Sequence, residues 1–427
     1  MTSQPFRDGT DASYVVVGDG IAGSSAAAEL ADRTTDASIT VVTGESEPLY
    51  NRILIKEFAK GALSADVVRM HDRSWYDDRD IDLRLGTRVE TVDTTAQVLE
   101  IESGESIAYD ELLVATGSTP RPLPVENADA DGVTTFWTIE DAAQIRQNAA
   151  RAEHNVIVGG GLLGIDYAAI AAAQDINSHY LIREGHWFSG ALSETGAEIV
   201  HEALRERGVT PVVETEVSRF ETDDAGQLRA AITSDGRRYE ADCAGVAIGT
   251  TPNTGLLEET PVALEDGVVV DETLSADVPS VWAAGDVARY DDPRLGRHVS
   301  NGTWGSAAAQ GELAARNMLA APDAAAPFEY VPSYSVSHFE FPLASFGHPR
   351  LGDTYHERRY GDREWRRLAF RDGQLVGGVL IGDREPLQAY KQLTASGRHV
   401  QQQVQQLLAP SFDGTDFERQ SSPLASD

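Results

Sequence analysis

Two stretches of this sequence have the glycine spacing that lets a main chain hold a diphosphate. They are Gly18-Asp19-Gly20-Ile21-Ala22-Gly23 and Gly159-Gly160-Gly161-Leu162-Leu163-Gly164. In a G-x-G-x-x-G turn the first glycine permits a sharp reversal, the second lets the backbone approach a pyrophosphate, and the third allows close helix–strand packing. The anion then lies at a helix N-terminus, where unpaired N–H groups and the helix dipole favour negative charge. A lone copy would be weak, because glycines also serve turns and packing alone. Here both copies have an apolar strand before them and a helix and second strand after them, so both predict dinucleotide sites.

An acidic residue at the end of the second strand of such a unit bonds the adenosine ribose. In the first unit Glu45, just past Thr43, is the candidate, against the alternative of a solvated loop acid. In the second unit the spot reads Ile182-Arg183-Glu184. Arg183 would meet a 2′-phosphate and Glu184 a 2′-hydroxyl, which leaves NAD(H) against NADP(H) open. The one cysteine, Cys243, excludes an intrachain disulfide or dithiol relay and reads as a small buried filler. His338 and His348 have no companion at ligand spacing, and no metal site is predicted.

The elements that must position these residues are legible. Ser13–Val17 (SYVVV), the helix-like SSAAAELAD and 39–42 (ITVV) form one β-α-β unit. The strand 155–158 (NVIV), an alanine-rich helix and the strand 178–182 (SHYLI) form another. Between them lie strand patterns at 83–89, 97–101 and Glu111–Val114, ending in Ala115-Thr116-Gly117, then a proline-rich crossover at 119–124. Later come VAIG ending at Gly249, SVWAA before Gly285-Asp286, and a helix opening near Trp304. A strand-rich region runs from Tyr334 to Val379, with turn signals at Gly347, Arg371-Asp372-Gly373 and Gly377. A helix is expected from Pro386 to Leu408, followed by a polar tail expected to be disordered.

The charge narrows the partners. The 427 residues carry 68 acidic against 35 basic side chains, net −33, which argues against nucleic acid or an anionic membrane surface. Only Lys56, Lys60 and Lys391 are lysines. An acid-rich, lysine-poor chain fits concentrated salt, where a Debye length of about 3 Å screens self-repulsion. Neither a secretory signal nor a membrane-spanning apolar run is legible, so the expected location is cytoplasmic.

From Tyr14 to Val400 the chain resembles the FAD- and NAD(P)-linked reductases of the pyridine-nucleotide–disulfide oxidoreductase superfamily. Within it the resemblance is to rubredoxin and ferredoxin reductases and the flavin-binding part of assimilatory nitrite reductases. It is carried, in order, by VVVGDGIAG, LYNRILIKEFAKG, LLVATGSTPRPLP, VIVGGGLLGIDYA, VAIGTTPNT, VWAAGDVA and GTWGSAAAQG. The resemblance implies that Gly18, Gly20, Ile21, Ala22 and Gly23 hold the FAD pyrophosphate, although Asp19 departs from the usual small residue. It implies that Arg52 meets the phosphate or adenine side, that Ala115, Thr116 and Gly117 end the crossing segment, that Asp286 bonds the ribityl hydroxyls, and that the Trp304 helix faces the flavin pyrimidine. Val89 and Gly249 join the implied cofactor contacts, and Gly159, Gly161, Leu162, Leu163 and Gly164 would hold the nicotinamide nucleotide. Lys56 would lie beside flavin N5 with Asp166 as its acidic partner. Relatives usually have glutamate there, so a direct pair and a water-bridged one both stay open.

The implied fold class is α/β: two Rossmann-like dinucleotide-binding domains, for FAD and NAD(P), with a C-terminal α+β interface domain. The expected boundaries are 1–120 and 266–330 for the FAD domain, 121–265 for the NAD(P) domain, 331–408 for the interface domain and 409–427 for the acidic tail. The implied activity is an FAD-dependent NAD(P)H oxidoreductase: hydride passes from nicotinamide to flavin N5, and electrons leave to an external acceptor. With no cysteine in the 50–60 region, thiol chemistry beside the flavin is not expected. The expected acceptor is a ferredoxin- or rubredoxin-like carrier, with a small-molecule acceptor as the alternative. An NAD(P)H:quinone reductase and a non-turnover redox sensor or partner subunit are the rival readings, and the chain would be a monomer or homodimer.

Overall fold

The valine-rich run Ser13–Val17 becomes a central strand because it is buried on both faces, as parallel strands covered by helices are. In the computed structural model, which describes residues 12–339 and 341–415, it pairs in parallel with Ser38–Val42 on one side and Glu111–Val114 on the other. Val281–Ala283 and Ile81–Arg84 complete a five-stranded parallel sheet. The chain reverses its direction of strand addition at Ser13–Val17, and such a switch point is where open α/β sheets bind ligands. Val15, Val16, Val41, Leu112, Leu113 and Val281 are wholly buried around it.

The helix Ile21–Arg33 follows the first glycine turn, and the helix Trp304–Leu319 packs against it. Small residues permit this closeness. A Cβ on Gly311 would stand 2.0 Å from the Ala22 carbonyl oxygen. A three-stranded antiparallel sheet (Val89–Asp93, Val98–Ile101, Ser106–Ala108) belongs to the same unit, which comprises residues 12–53, 65–119 and 250–330.

The second unit comprises residues 54–64, 120–249 and the described part of 331–415. Its parallel sheet repeats the plan of the first. His154–Val158 is central, Asn177–Leu181 and Val209–Val212 lie to one side, and Cys243–Val246 and Val133–Thr134 to the other. The chain thus re-enters the first unit at Thr250, ahead of the Asp266 expected, and the short segment 54–64 goes with the second unit.

The C-terminal region forms a five-stranded antiparallel sheet in the order Ser333–Val336, Leu343–Gly347, Gln374–Ile381, Trp365–Arg371, Thr354–Arg359. Asp372 and Gly373, both with positive φ, make the hairpin turn expected there. Gly377 is not a turn: it lies inside a strand, where a Cβ would come within 2.6 Å of the His348 nitrogen. The helix expected over 386–408 is broken. It runs Leu387–Ala395, then Gly397 takes φ +60 and the Val400 N–H bonds the Gly373 carbonyl at 2.9 Å before a short helix Val404–Leu407. The beginning of the expected tail is also ordered, since Phe412 stacks on Tyr390 at 4.7 Å in the core of this sheet. Residues 416–427 of that tail lie outside the described residues.

Candidate functional site

The first turn is shaped by backbone crowding behind it and openness in front. Gly18 has φ +110, and a Cβ there would lie 2.2 Å from the Ala115 carbonyl oxygen. In front, a Cβ on Gly20 would meet nothing within 4 Å. The helix that follows has no side-chain cap and no acid in its first turn, so its leading amides, Ile21 to Gly23, keep their donor capacity for an anion. These are the steric and electrostatic conditions a diphosphate needs, so the residues present fit the group.

The rest of this site comes from distant sequence. Asp286, half-buried, accepts a hydrogen bond from Ser118 Oγ at 2.9 Å, and burial holds its carboxyl above the usual range against the Ser118 bond and the Arg52 charge. Gln310 reaches back from the Trp304 helix to accept the Gly285 N–H at 2.7 Å. Asn253 locks the crossing segment: it donates to the Thr116 carbonyl at 2.9 Å, and its own N–H bonds Gly117 at 3.0 Å. Glu45 and Arg52 form an ion pair and line one cleft with Asp19, Gly20, Thr43 and Leu49. Trp304 opens its helix as expected. Val89 opens a strand and is not among the residues of that cleft.

Asp19 is a buried carboxylate inside the turn. The Tyr76 hydroxyl lies 2.8 and 2.9 Å from its two oxygens, and the Leu49 N–H donates at 3.1 Å. Desolvation outweighs those bonds and pushes its pKa up to about 7. The sequence marked Asp19 only as a departure. Its bonding partners, 30 and 57 residues away, were invisible there.

The second turn uses the same backbone logic with different bracing. Gly159 has φ +124 with the Ala247 carbonyl oxygen 2.1 Å from a notional Cβ, and Gly161 is open. The Gly161 carbonyl accepts from Trp187 Nε1 at 3.1 Å and Tyr180 OH at 3.3 Å. Leu162 and Leu163 start the helix, and Gly249, with φ +104, faces open space. Of the two ribose candidates, Glu184 lies against the turn, with Oε2 3.2 Å from a notional Cβ on Gly160. Arg183 is 71% exposed and turns aside to pair with Glu184 at 2.9 Å.

Lys56 and Asp166 meet directly: Nζ lies 3.3 Å from Oδ1 and no bridging water is required. His338 Nε2 lies 2.8 Å from the same oxygen. Sequence reasoning weighed His338 only as a metal ligand. No spacing signal could have joined residues 166 and 338.

The family model described as pyridine nucleotide-disulphide oxidoreductase matches residues 12–311. The chain belongs to that family. Among its relatives, this family member is 32% identical over 307 residues to the ferredoxin–NAD(+) reductase component of a biphenyl dioxygenase system from Paraburkholderia xenovorans, covering 72% of this chain and 74% of that one. It is 27% identical over 376 residues to a nitrite reductase [NAD(P)H] of Bacillus subtilis, covering 86% of this chain and 45% of that one. In fold it matches putidaredoxin reductase in its covalent complex with putidaredoxin (TM-score 0.89, 22% identity, 96% and 99% of the two chains). It also matches a ferredoxin reductase from Rhodopseudomonas palustris (TM-score 0.88, 20% identity, 95% and 100%). Members of the family bind FAD and NAD(H).

The disulphide in the family's name has no counterpart in this member. Cys243 is its one cysteine. It is buried in the central sheet of the second unit, bonded to Asn155 Oδ1 at 3.4 Å, and burial, with the Asp242 charge, pushes its thiol up to about 12. A thiol so held is not a nucleophile near neutral pH.

Proposed function

We propose that this chain is an FAD-dependent NAD(P)H oxidoreductase that passes electrons to a ferredoxin- or rubredoxin-type iron–sulfur carrier. The observation that carries the reading is the pair of complete diphosphate turns, Gly18–Gly23 and Gly159–Gly164, in a chain whose only thiol is inert. The first turn would hold FAD, with Asp286, Glu45 and Arg52 as side-chain contacts and the Trp304 helix amides offsetting negative charge. The second would hold the nicotinamide nucleotide. Bound FAD supplies two-electron acceptance from nicotinamide and one-electron release to a carrier. The chain's own residues bind and orient the two nucleotides, and the Lys56–Asp166 pair sets the local charge at the reacting end. The names of the relatives support this acceptor class over a quinone.

Glu184 supports a preference for NADH, because its carboxylate lies against the second turn, where it would bond a 2′-hydroxyl and repel a 2′-phosphate. The net charge of −33 supports work in concentrated salt, and the melting temperature is expected to rise steadily with KCl up to molar concentrations. No helix among the described residues is long and apolar enough to cross a membrane.

The test is anaerobic stopped-flow reduction of the FAD-loaded protein in molar KCl, first with NADH or NADPH and then with candidate carriers. Rapid bleaching followed by reoxidation by an iron–sulfur protein is expected. Absence of bleaching with either nucleotide would sink the enzyme reading and favour a sensor. Reoxidation by quinones alone would move the acceptor.

A further inference from the structure

In the second unit a single carboxylate oxygen serves a lysine and a histidine side chain. Asp166 Oδ1 lies 3.3 Å from Lys56 Nζ and 2.8 Å from His338 Nε2. The three residues come from the helix Ile55–Ala59, the helix Leu162–Ala173 and the segment after the strand Ser333–Val336. Their side chains are only 14%, 10% and 10% exposed. At 2.8 Å from a carboxylate oxygen Nε2 must carry hydrogen, since a bare lone pair would be repelled. His338 is therefore a donor in both of its charge states, and the proton that comes and goes is the one on Nδ1. With His338 neutral, Lys56 and Asp166 cancel. With His338 protonated, two cations share one anion.

We propose that His338 is a positioning residue whose protonation divides Asp166 between itself and Lys56, and so makes nicotinamide binding by this unit sensitive to pH. This rests on the reading that the second turn takes the nicotinamide nucleotide. The oxidised nicotinamide ring carries a positive charge and the reduced ring does not. A cluster with an extra cation therefore disfavours the oxidised nucleotide relative to the reduced one. The proton released by His338 goes to water, and no electron moves in this step.

The other groups facing the cluster do not change charge in the same range. The Tyr334 phenol, its hydroxyl out of solvent, is pushed well above the usual tyrosine range by burial, with the Asp166 charge adding. Tyr180 is raised by burial and, more weakly, by Asp166. Arg384 reaches the neighbouring Ser337 Oγ at 3.3 Å and stays cationic. Imidazole is the side chain that ordinarily titrates between about pH 5 and 8.

The experiment is calorimetric binding of NAD+ and NADH to the oxidised and reduced FAD-loaded protein, respectively, across about pH 5 to 8. The proteins compared are the wild type, His338→Gln and Asp166→Asn. The wild type should bind NAD+ several-fold more weakly at the acid end, on the order of tenfold for a full charge, with NADH nearly level. His338→Gln keeps an amide donor but cannot titrate, and its NAD+ profile should be flat. Asp166→Asn leaves Lys56 without its anion, so NAD+ should bind more weakly than to the wild type across the whole range. This variant also reads the cluster should His338→Gln fold poorly. A flat wild-type profile, or a step that survives in His338→Gln, overturns the inference while leaving the function intact. Failure of both nucleotides to bind would remove the reading of the second turn and this inference with it.

Discussion

The two glycine turns share a backbone plan and differ in how they are completed. The Gly18 turn is finished by residues from three separated segments: Asp19, Glu45 and Arg52; Ala115 to Ser118; and Asp286 with Gln310. The Gly159 turn is backed by Ala247 in the same way, but its other partners come from one continuous stretch, with Tyr180 and Trp187 bracing its Gly161 carbonyl and Glu184 at its edge. A site tied together by remote segments cannot open without separating its elements, which suits a resident cofactor. A site built from one β-α-β unit can be rigid and still exchange its ligand at each turnover.

The contrast is most exposed at Gly311, which lies outside both glycine motifs. In Gly311→Ala the new Cβ would collide with the Ala22 main chain, where nothing flexible can give way. The expected cost is on the order of 3 kcal/mol, with loss of FAD. Flavin absorbance per protein and the melting temperature check this; full flavin content would refute the account of the first site.

At the second turn, Trp187→Phe removes one hydrogen bond to Gly161 and, because Trp187 is wholly buried, leaves a small cavity where the fused ring was. The nicotinamide nucleotide should dissociate several-fold more readily, corresponding to about 1 kcal/mol, while FAD content stays level. Titration of flavin-loaded protein with NADH measures it. A comparable loss of FAD would mean that the turns are not independent.

Glu184→Ala should narrow the preference for NADH over NADPH by on the order of tenfold, read as the ratio of bleaching rates. An unchanged ratio would take ribose recognition away from Glu184.

The first turn should also carry a pH slope of its own, through Asp19. Folded Asp19 keeps its proton to about pH 7, whereas in the unfolded chain it is lost near about 3.9. The folded state therefore binds more protons between those values, and stability falls as pH rises from about 4 to about 7, levelling above. Asp19→Asn should flatten this part of the curve. Urea unfolding of both proteins at pH 4.5 and pH 8 in high KCl supplies the comparison, and parallel curves would show that Asp19 ionises normally.

Much of this was legible from local pattern. Strand, turn and helix lie adjacent in the chain at Ser13–Arg33 and His154–Ala173, so periodicity and glycine spacing were sufficient to place both turns. The helix over 386–408 was misread because its apolar pattern continues through Gly397. What breaks it is pairing with Gly373, 27 residues earlier than Val400. Gly377 was misread as a turn because crowding inside a sheet and reversal of the chain call for the same residue.

The sequence alone determined two dinucleotide sites, an α/β architecture and the absence of a dithiol, because those follow from residue types and short spacings. Tertiary structure alone decided which of Arg183 and Glu184 faces the turn, what Asp19 bonds, and that His338 meets Lys56 at Asp166. Each of these depends on where a side chain points once distant segments have packed, and desolvation and hydrogen-bond geometry, which set the chemistry, exist only after that packing.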